Sequence, residues 1–220
     1  MSIFVTGTDT GVGKTSFTVW LLQELRARGV RSAGYKPLCC GDRDDAVQLH
    51  DAGSPDLTID EVNPVWLKTP AAPLTAARAE KREIDLLLLR EGFVRLTARV
   101  EFVAVEGVGG WMVPITPDYF SNHLASELGL PVIVVALNRL GCLNHVLLTV
   151  HAIESAGLKC AGVVLNSFAQ EADIAMATNA EILRSCLSLP IATGFGREGG
   201  ADLDKFAQMM PEISRLLSAN

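Results

Sequence analysis

Apolar residues along the chain fall into two kinds of run. The first kind is short and continuous: Ile3-Phe4-Val5, Ser32 to Pro37, Phe102 to Glu106, Pro131 to Ala136 and Cys160 to Asn166. Unbroken runs rich in β-branched residues suit strands buried on both faces of a parallel sheet. The second kind is periodic. Val19, Leu22 and Leu25, with Leu21 beside them, recur at helical spacing and end at Gly29. Similar patterns run from Ile84 to Arg99, from Asn144 to Ala156 before Gly157, and from Ile174 to Leu187. Alternating strands and helices predict a doubly wound α/β fold, with helices on both faces of a mainly parallel sheet. No linker, repeat or low-complexity tract divides residues 1–220, so one domain is expected. The proline-rich stretch from Asn63 to Pro73 predicts a long loop over the site.

In such sheets ligands gather outside the carboxyl ends of the strands. The polar residues at those ends are Thr8 to Thr15, Lys36, Glu106, Asn138 or Arg139, and Asn166. Composition narrows the choice of ligand. A formal net charge of −6 with no basic block argues against nucleic acid. The apolar runs are too short to span a membrane and the chain opens directly on a strand, so no membrane partner and a cytoplasmic location are expected. The five cysteines (39, 40, 142, 160 and 186) show no paired zinc spacing and read as reduced thiols.

The first strand runs into Gly7-Thr8-Asp9-Thr10-Gly11-Val12-Gly13-Lys14-Thr15. The phosphate-loop pattern is Gly, four residues, then Gly-Lys-Ser/Thr. Here Gly7 is followed by five residues before Gly13, and Thr8 occupies the expected glycine position. The physics of the loop survives that extra residue. Gly11 and Gly13 let the backbone turn toward an anion, and the amides of residues 11–16 face it at a helix start. Lys14 supplies charge for the terminal phosphates and Thr15 a hydroxyl for Mg²⁺.

Other residues carry chemistry with less certainty of role. Glu106 ends a buried run and opens Glu106-Gly107-Val108-Gly109-Gly110-Trp111, where a carboxylate can hold Mg²⁺ and glycines allow close approach; a tight turn with a solvent-facing acid is the plainer alternative. Lys36, inside an apolar run, either meets an anion or snorkels to water from an edge strand. Asp44 and Asp45 read first as solvated surface, with a metal ligand as the second reading. Asn144 caps the following helix, or the free amides there bind a carboxylate. Asn166 reads a base edge or caps a turn. Cys142 has no base beside it, so no cysteine nucleophile is proposed.

Four motifs together resemble dethiobiotin synthetase: the loop from Gly7 to Thr15, Gly34-Tyr35-Lys36-Pro37, Val105 to Trp111, and Leu140-Gly141-Cys142-Leu143-Asn144-His145. The resemblance covers residues 3 to about 168, and the five-residue spacing before Gly-Lys-Thr is typical of that family. It implies ATP- and Mg²⁺-dependent closure of a ureido ring on 7,8-diaminopelargonate with CO₂, through a carbamate and a carbamic–phosphoric anhydride. It also implies roles for individual residues. Lys36 and Lys14 would be catalytic. Gly11, Val12, Gly13, Lys14, Thr15 and Ser16, with Glu106, Gly107, Val108, Gly109 and Asn166, would bind the nucleotide. Thr15, Asp45 and Glu106 would hold Mg²⁺, Asp45 being preferred to Asp44 because Ala46 and Val47 follow it. Thr10, Cys40, Gly141, Cys142, Leu143 and Asn144 would bind the small-molecule substrate, the last four from the neighbouring subunit of a homodimer.

Three departures from the family pattern stand out. Cys40 replaces a serine, Leu74 stands where histidine is common, and Pro190 to Gly200 matches poorly over the segment that helps read the base. This last departure leaves the choice between ATP and other nucleoside triphosphates open. The rival reading is a regulatory ATPase switch of the kind that positions chromosomes or septa. Those proteins carry an extra lysine early in the loop, where this chain has Thr8 and Asp9. A cobalamin-type amidotransferase would need a further domain.

Overall fold

A computed structural model describes residues 1–167 and 173–195, together with Met209. A six-stranded parallel sheet organises it, built from β1 (Ser2–Gly7), β2 (Ser32–Tyr35), β5 (Phe102–Gly110), β8 (Val132–Leu137), β9 (Cys160–Asn166) and β10 (Ile191–Phe195) in the order β10-β9-β8-β1-β5-β2. Every residue of β2 and β9 is buried, as continuous apolar runs require.

From β1 the chain passes through α1 (Lys14–Ala27) toward β2 on one side. From β8 it passes through α7 (Cys142–Ser155), β9 and α8 (Ile174–Cys186) toward β10 on the other. Right-handed crossovers proceeding in opposite directions put their helices on opposite faces of the sheet. The doubly wound fold expected from the sequence is the one observed.

Several boundaries differ from those read in the sequence. The run from Ser32 to Pro37 breaks after Tyr35. The chain then forms β3 (Leu38–Cys40), which leaves the main sheet and pairs with β4 (Val65–Leu67). The expected loop from Asn63 to Pro73 therefore contains a strand, and α4 (Pro73–Glu80) begins at its end. Helix α5 (Leu86–Thr97) starts two residues after Ile84, because the Asp85 carboxylate accepts from the Leu87 and Leu88 amides and caps it. Two further helices precede β4: α2 (Asp44–Ala52) and α3 (Ile59–Val62). Between β5 and β8 lie the β6–β7 hairpin (Pro114–Thr116, Tyr119–Phe120) and α6 (Ser121–Leu128). No helix among the described residues is long and apolar enough to cross a membrane. Of the segment Pro190 to Gly200, residues 196–200 lie outside the described residues.

Candidate active site

Strand β1 delivers the loop from Gly7 to Gly13 and α1 begins at Lys14. Gly13 is the helix N-cap, with φ 92° in the left-handed region that an L side chain resists. No side chain caps this helix end. Its first-turn amides are therefore left for an anion.

The loop opens into a cleft of about 660 Å³. Thr10, Gly11, Gly13, Lys14, Thr15 and Ser16 line one wall; Lys36, Cys39, Cys40, Asp45 and Gln48 line another. Val108, Gly109 and Val113 close a third side, and Pro70 to Pro73 a fourth. The expected covering role of residues 63–73 thus falls to their last four members.

Two ammonium groups meet two carboxylates here. Lys36 Nζ is 2.6 Å from Glu106 Oε1 and 3.0 Å from Asp45 Oδ2. Lys36 is 3 % exposed and Glu106 0 %. Burial alone would lower the lysine pKa, but the two carboxylates and their hydrogen bonds outweigh it and hold Lys36 above its ordinary value. For Asp45 burial likewise opposes charge, and Lys36 with Thr15 holds the carboxyl below its usual range. For Lys14 the nearby carboxylates Glu106, Asp45 and Asp9 compensate only in part. Burial, then repulsion from Lys36, brings it down to about 8, while its Nζ donates to the Asp9 carbonyl at 3.0 Å.

Glu106 does not end its strand. β5 continues to Gly110, and Glu106 lies opposite Val5, so the sheet register brings the carboxylate beside the root of the phosphate loop. The tight-turn alternative, with a solvent-facing acid, fails on both counts.

The Thr15 hydroxyl lies 2.8 Å from Asp45 Oδ1 and 2.9 Å from Glu106 Oε1. One hydroxyl proton cannot serve two carboxylate oxygens. In addition, Glu106 Oε2 is buried without a hydrogen-bond partner among the described residues. Surplus hard oxygen acceptors around one hydroxyl fit a divalent cation such as Mg²⁺.

Asn166, fully buried at the end of β9, donates to the Val12 carbonyl at 3.1 Å, and its Oδ1 has no partner among the described residues. Val12 itself packs into the core, so its part in the loop is played by its backbone. The Gly107 carbonyl is 3.5 Å from Lys36 Nζ.

Gly141, Cys142, Leu143 and Asn144 are not among the residues lining the cleft. Gly141, at φ 91°, is the N-cap of α7, and no side chain caps the helix. Asn144 therefore lies within the first turn, and the capping role considered for it does not occur.

Cys40 borders the cleft as a free thiol, raised to about 11 by burial and by Cys39 beside it. Residues that sequence reasoning missed include Gln48, Asn179 and Val113. Gln48 follows Asp45 by three positions on α2, and the spacing of Ala46, Leu49 and Ala52 was the available signal for that helix. Asn179 donates to Asn138 Oδ1 at 2.9 Å and to the Arg139 carbonyl at 3.2 Å, a long-range contact with no local signature.

A protein-family model described as an AAA domain matches residues 1–194. The chain is 44% identical to the ATP-dependent dethiobiotin synthetase of Akkermansia muciniphila, over 86% of this chain and 89% of that one. It is 42% identical to the enzyme of the same name from Aromatoleum aromaticum, over 90% and 92%. The chain belongs to the ATP-dependent dethiobiotin synthetase family. The match to the dethiobiotin synthetases reaches beyond residue 168, to which the resemblance read from the sequence extends.

Among solved structures, the chain resembles the septum site-determining protein MinD of Pyrococcus horikoshii complexed with Mg-ADP. Here the TM-score is 0.53 and the identity 15%, over 98% of this chain and 97% of that one. A putative plasmid partition protein of Borrelia burgdorferi bound to AMPPNP gives the same TM-score at 14% identity, over 97% and 98%. At such identities these likenesses show the fold, a phosphate-loop α/β domain shared with dethiobiotin synthetases, and nothing of activity.

Proposed function

We propose that this enzyme uses ATP to close a ureido ring on 7,8-diaminopelargonate and CO₂, yielding dethiobiotin, ADP and phosphate. Its family supports ATP-dependent ligase chemistry in biotin biosynthesis. The observation that carries the finer reading is Lys36, a buried ammonium facing the cleft and held between Asp45 and Glu106 beside the phosphate loop.

On this reading one substrate amine adds to CO₂ and loses a proton, giving a carbamate. A carbamate oxygen attacks the terminal phosphorus of ATP, and ADP leaves. The second amine attacks the carbamoyl carbon; the C–O bond to phosphate breaks, the amine proton departs, and the ring closes. Little covalent chemistry falls to the protein, so its task is positioning and charge neutralisation. Lys14 and the amides from Gly11 to Ser16 hold the phosphates. Lys36, kept protonated, faces both the carbamate and the transferring phosphoryl group. Thr15, Asp45 and Glu106 would hold Mg²⁺, which supplies charge neutralisation for the phosphates. The idle Oδ1 of Asn166 suits a base amino group. Thr10 and Cys40 face the diamine end.

The uncapped start of α7 lies apart from its own chain's cleft, and Leu140 beside it is 83% exposed. This arrangement supports a homodimer in which the segment from Gly141 to Asn144 receives the substrate carboxylate of the neighbouring subunit.

The test is a product assay with ATP, Mg²⁺, CO₂ and the diamine, run again with other nucleoside triphosphates. Dethiobiotin and ADP in equal amounts are expected; ATP hydrolysis without a ureido product refutes the reading. Lys36→Gln is expected to abolish product formation while nucleotide affinity stays within a few-fold, checked by calorimetric titration. Undiminished turnover in that variant removes Lys36 from the mechanism.

A further inference from the structure

We infer that Asn63, outside the cleft, is the positioning residue that sets where Lys36 and Asp45 stand. This rests on the proposed roles of those two residues. Asn63 is 0 % exposed, and its amide is committed in three directions. Nδ2 donates to the Lys36 carbonyl at 2.7 Å and to the Val65 carbonyl at 3.0 Å. Oδ1 accepts from Arg43 Nε at 2.9 Å.

The first of these contacts matters because Lys36 lies just beyond the end of β2, where the sheet no longer holds it. Its N–H donates to the Val62 carbonyl at 2.9 Å, so residues 62 and 63 grip the Lys36 peptide units from both sides. Asn63 is itself anchored. Its N–H donates to the Ile59 carbonyl, and a Thr58–Glu61 capping box fixes the start of α3.

The third contact reaches the other half of the ion-pair cluster. Arg43 is the N-cap of α2, two residues before Asp45. Its Nη2 also donates to the Asn63 carbonyl at 2.6 Å and to Asp60 Oδ1 at 2.7 Å, and its guanidinium lies 5.4 Å from the Trp66 ring. A single side-chain amide thus ties the backbone bearing Lys36 to the helix start bearing Asp45. The 3.0 Å approach of their charged groups inherits its geometry from that tie. Only a primary amide offers two donors and an acceptor in one plane at this size.

The shape-matched test is Asn63→Asp, which keeps an acceptor for Arg43 and removes both donors. Asn63→Ala removes everything, and Arg43→Lys loosens only the link to α2. For Asn63→Asp, kcat is expected to fall on the order of 100-fold, the effect of a displacement near 1 Å, with KM for ATP nearly unchanged. Arg43→Lys should fall less.

A readout independent of turnover is hydrogen exchange of the Lys36 amide, which donates to the Val62 carbonyl. Loss of the Asn63 grip is expected to speed that exchange about tenfold relative to the Phe4 amide inside the main sheet. A variant that melts earlier but keeps wild-type kcat and wild-type Lys36 exchange overturns the inference. If the wild type makes no ureido product, the functional reading fails instead, and the exchange rates alone decide the role of Asn63.

Discussion

Lys14 is destabilising as long as its cleft holds no phosphate. It is 6 % exposed, and its ammonium is brought from 10.5 to about 8 by burial and by Lys36. At ~1.36 kcal/mol per pH unit, that fall amounts to about 3 kcal/mol of folding free energy lost below pH 8. Lys14→Met keeps the apolar stem and removes the charge. It also gives up the hydrogen bond to the Asp9 carbonyl, worth about 1 kcal/mol. The nucleotide-free variant is therefore expected to be more stable by about 2 kcal/mol, or roughly 4–8 °C in Tm for a chain of this length.

The penalty is lost as pH rises through a defined window. Below about pH 8 both folded and unfolded wild type carry the proton, and the full penalty applies. Between about 8 and 10.5 the folded state sheds it first, so wild-type stability rises relative to the variant and the gap closes. Saturating Mg-ATP at ~100 times Kd adds about 2.7 kcal/mol to the wild type, while the variant binds too weakly to follow. Scanning calorimetry at pH 7 and pH 10, with and without nucleotide, checks each step. A variant that melts at or below the wild type at pH 7 without nucleotide, or a gap equal at both pH values, refutes the reasoning.

Two further substitutions probe other parts of the structure. In α5 a Cβ on Gly92 would stand 2.2 Å from the Tyr35 hydroxyl, which donates to the Leu89 carbonyl at 2.8 Å. Gly92→Ala is thus expected to lose roughly 1–3 kcal/mol in urea denaturation despite the better helix propensity of alanine, and adding Tyr35→Phe should recover part of it. Cys40, with its thiol pushed up to about 11, should resist iodoacetamide at neutral pH while exposed Cys186 is alkylated. Cys40→Ser supplies a stronger hydrogen-bond partner and is expected to raise kcat/KM for the diamine by up to about fivefold; a fall would show that the thiol is preferred.

The parallel sheet and the phosphate loop were legible in the sequence because both depend on neighbours in the chain. Continuous β-branched runs marked β1, β8 and β9, and Gly-Lys-Thr after the first of them marked the anion site. Glu106 was found, but its setting was misjudged. Glycines disfavour strands, so Gly107 to Gly110 read as a loop passing close to a phosphate, whereas pairing with β1, out to Gly7 opposite Gly110, carries β5 through them. Helix α2 was missed because its exposed face is polar and its buried face small, and β3 and β4 because three-residue strands carry little periodicity. Lys36 stayed ambiguous between snorkelling and pairing until the fold brought Glu106 to it across 70 residues. Asn138 was marked only by its place after a strand, and the roles of Asn63 and Asn179 gave no signal, since a buried asparagine is defined by partners distant in sequence.

The strand order also makes the sheet a ruler. On the proposed reading, β1 delivers the phosphates at the centre of the sheet. Asn166, the base reader, lies two strands away on one side, with β8 between. Lys36, at the transferring end, lies two strands away on the other, with β5 between. Four strand spacings of about 4.8 Å put the two ends roughly 19 Å apart before twist is counted. Backbone hydrogen bonding, rather than any adjustable side chain, fixes that span. Selection for nucleotide length is then a property of sheet topology, and a strand inserted between β9 and β2 would uncouple base recognition from phosphoryl transfer while leaving every named side chain in place.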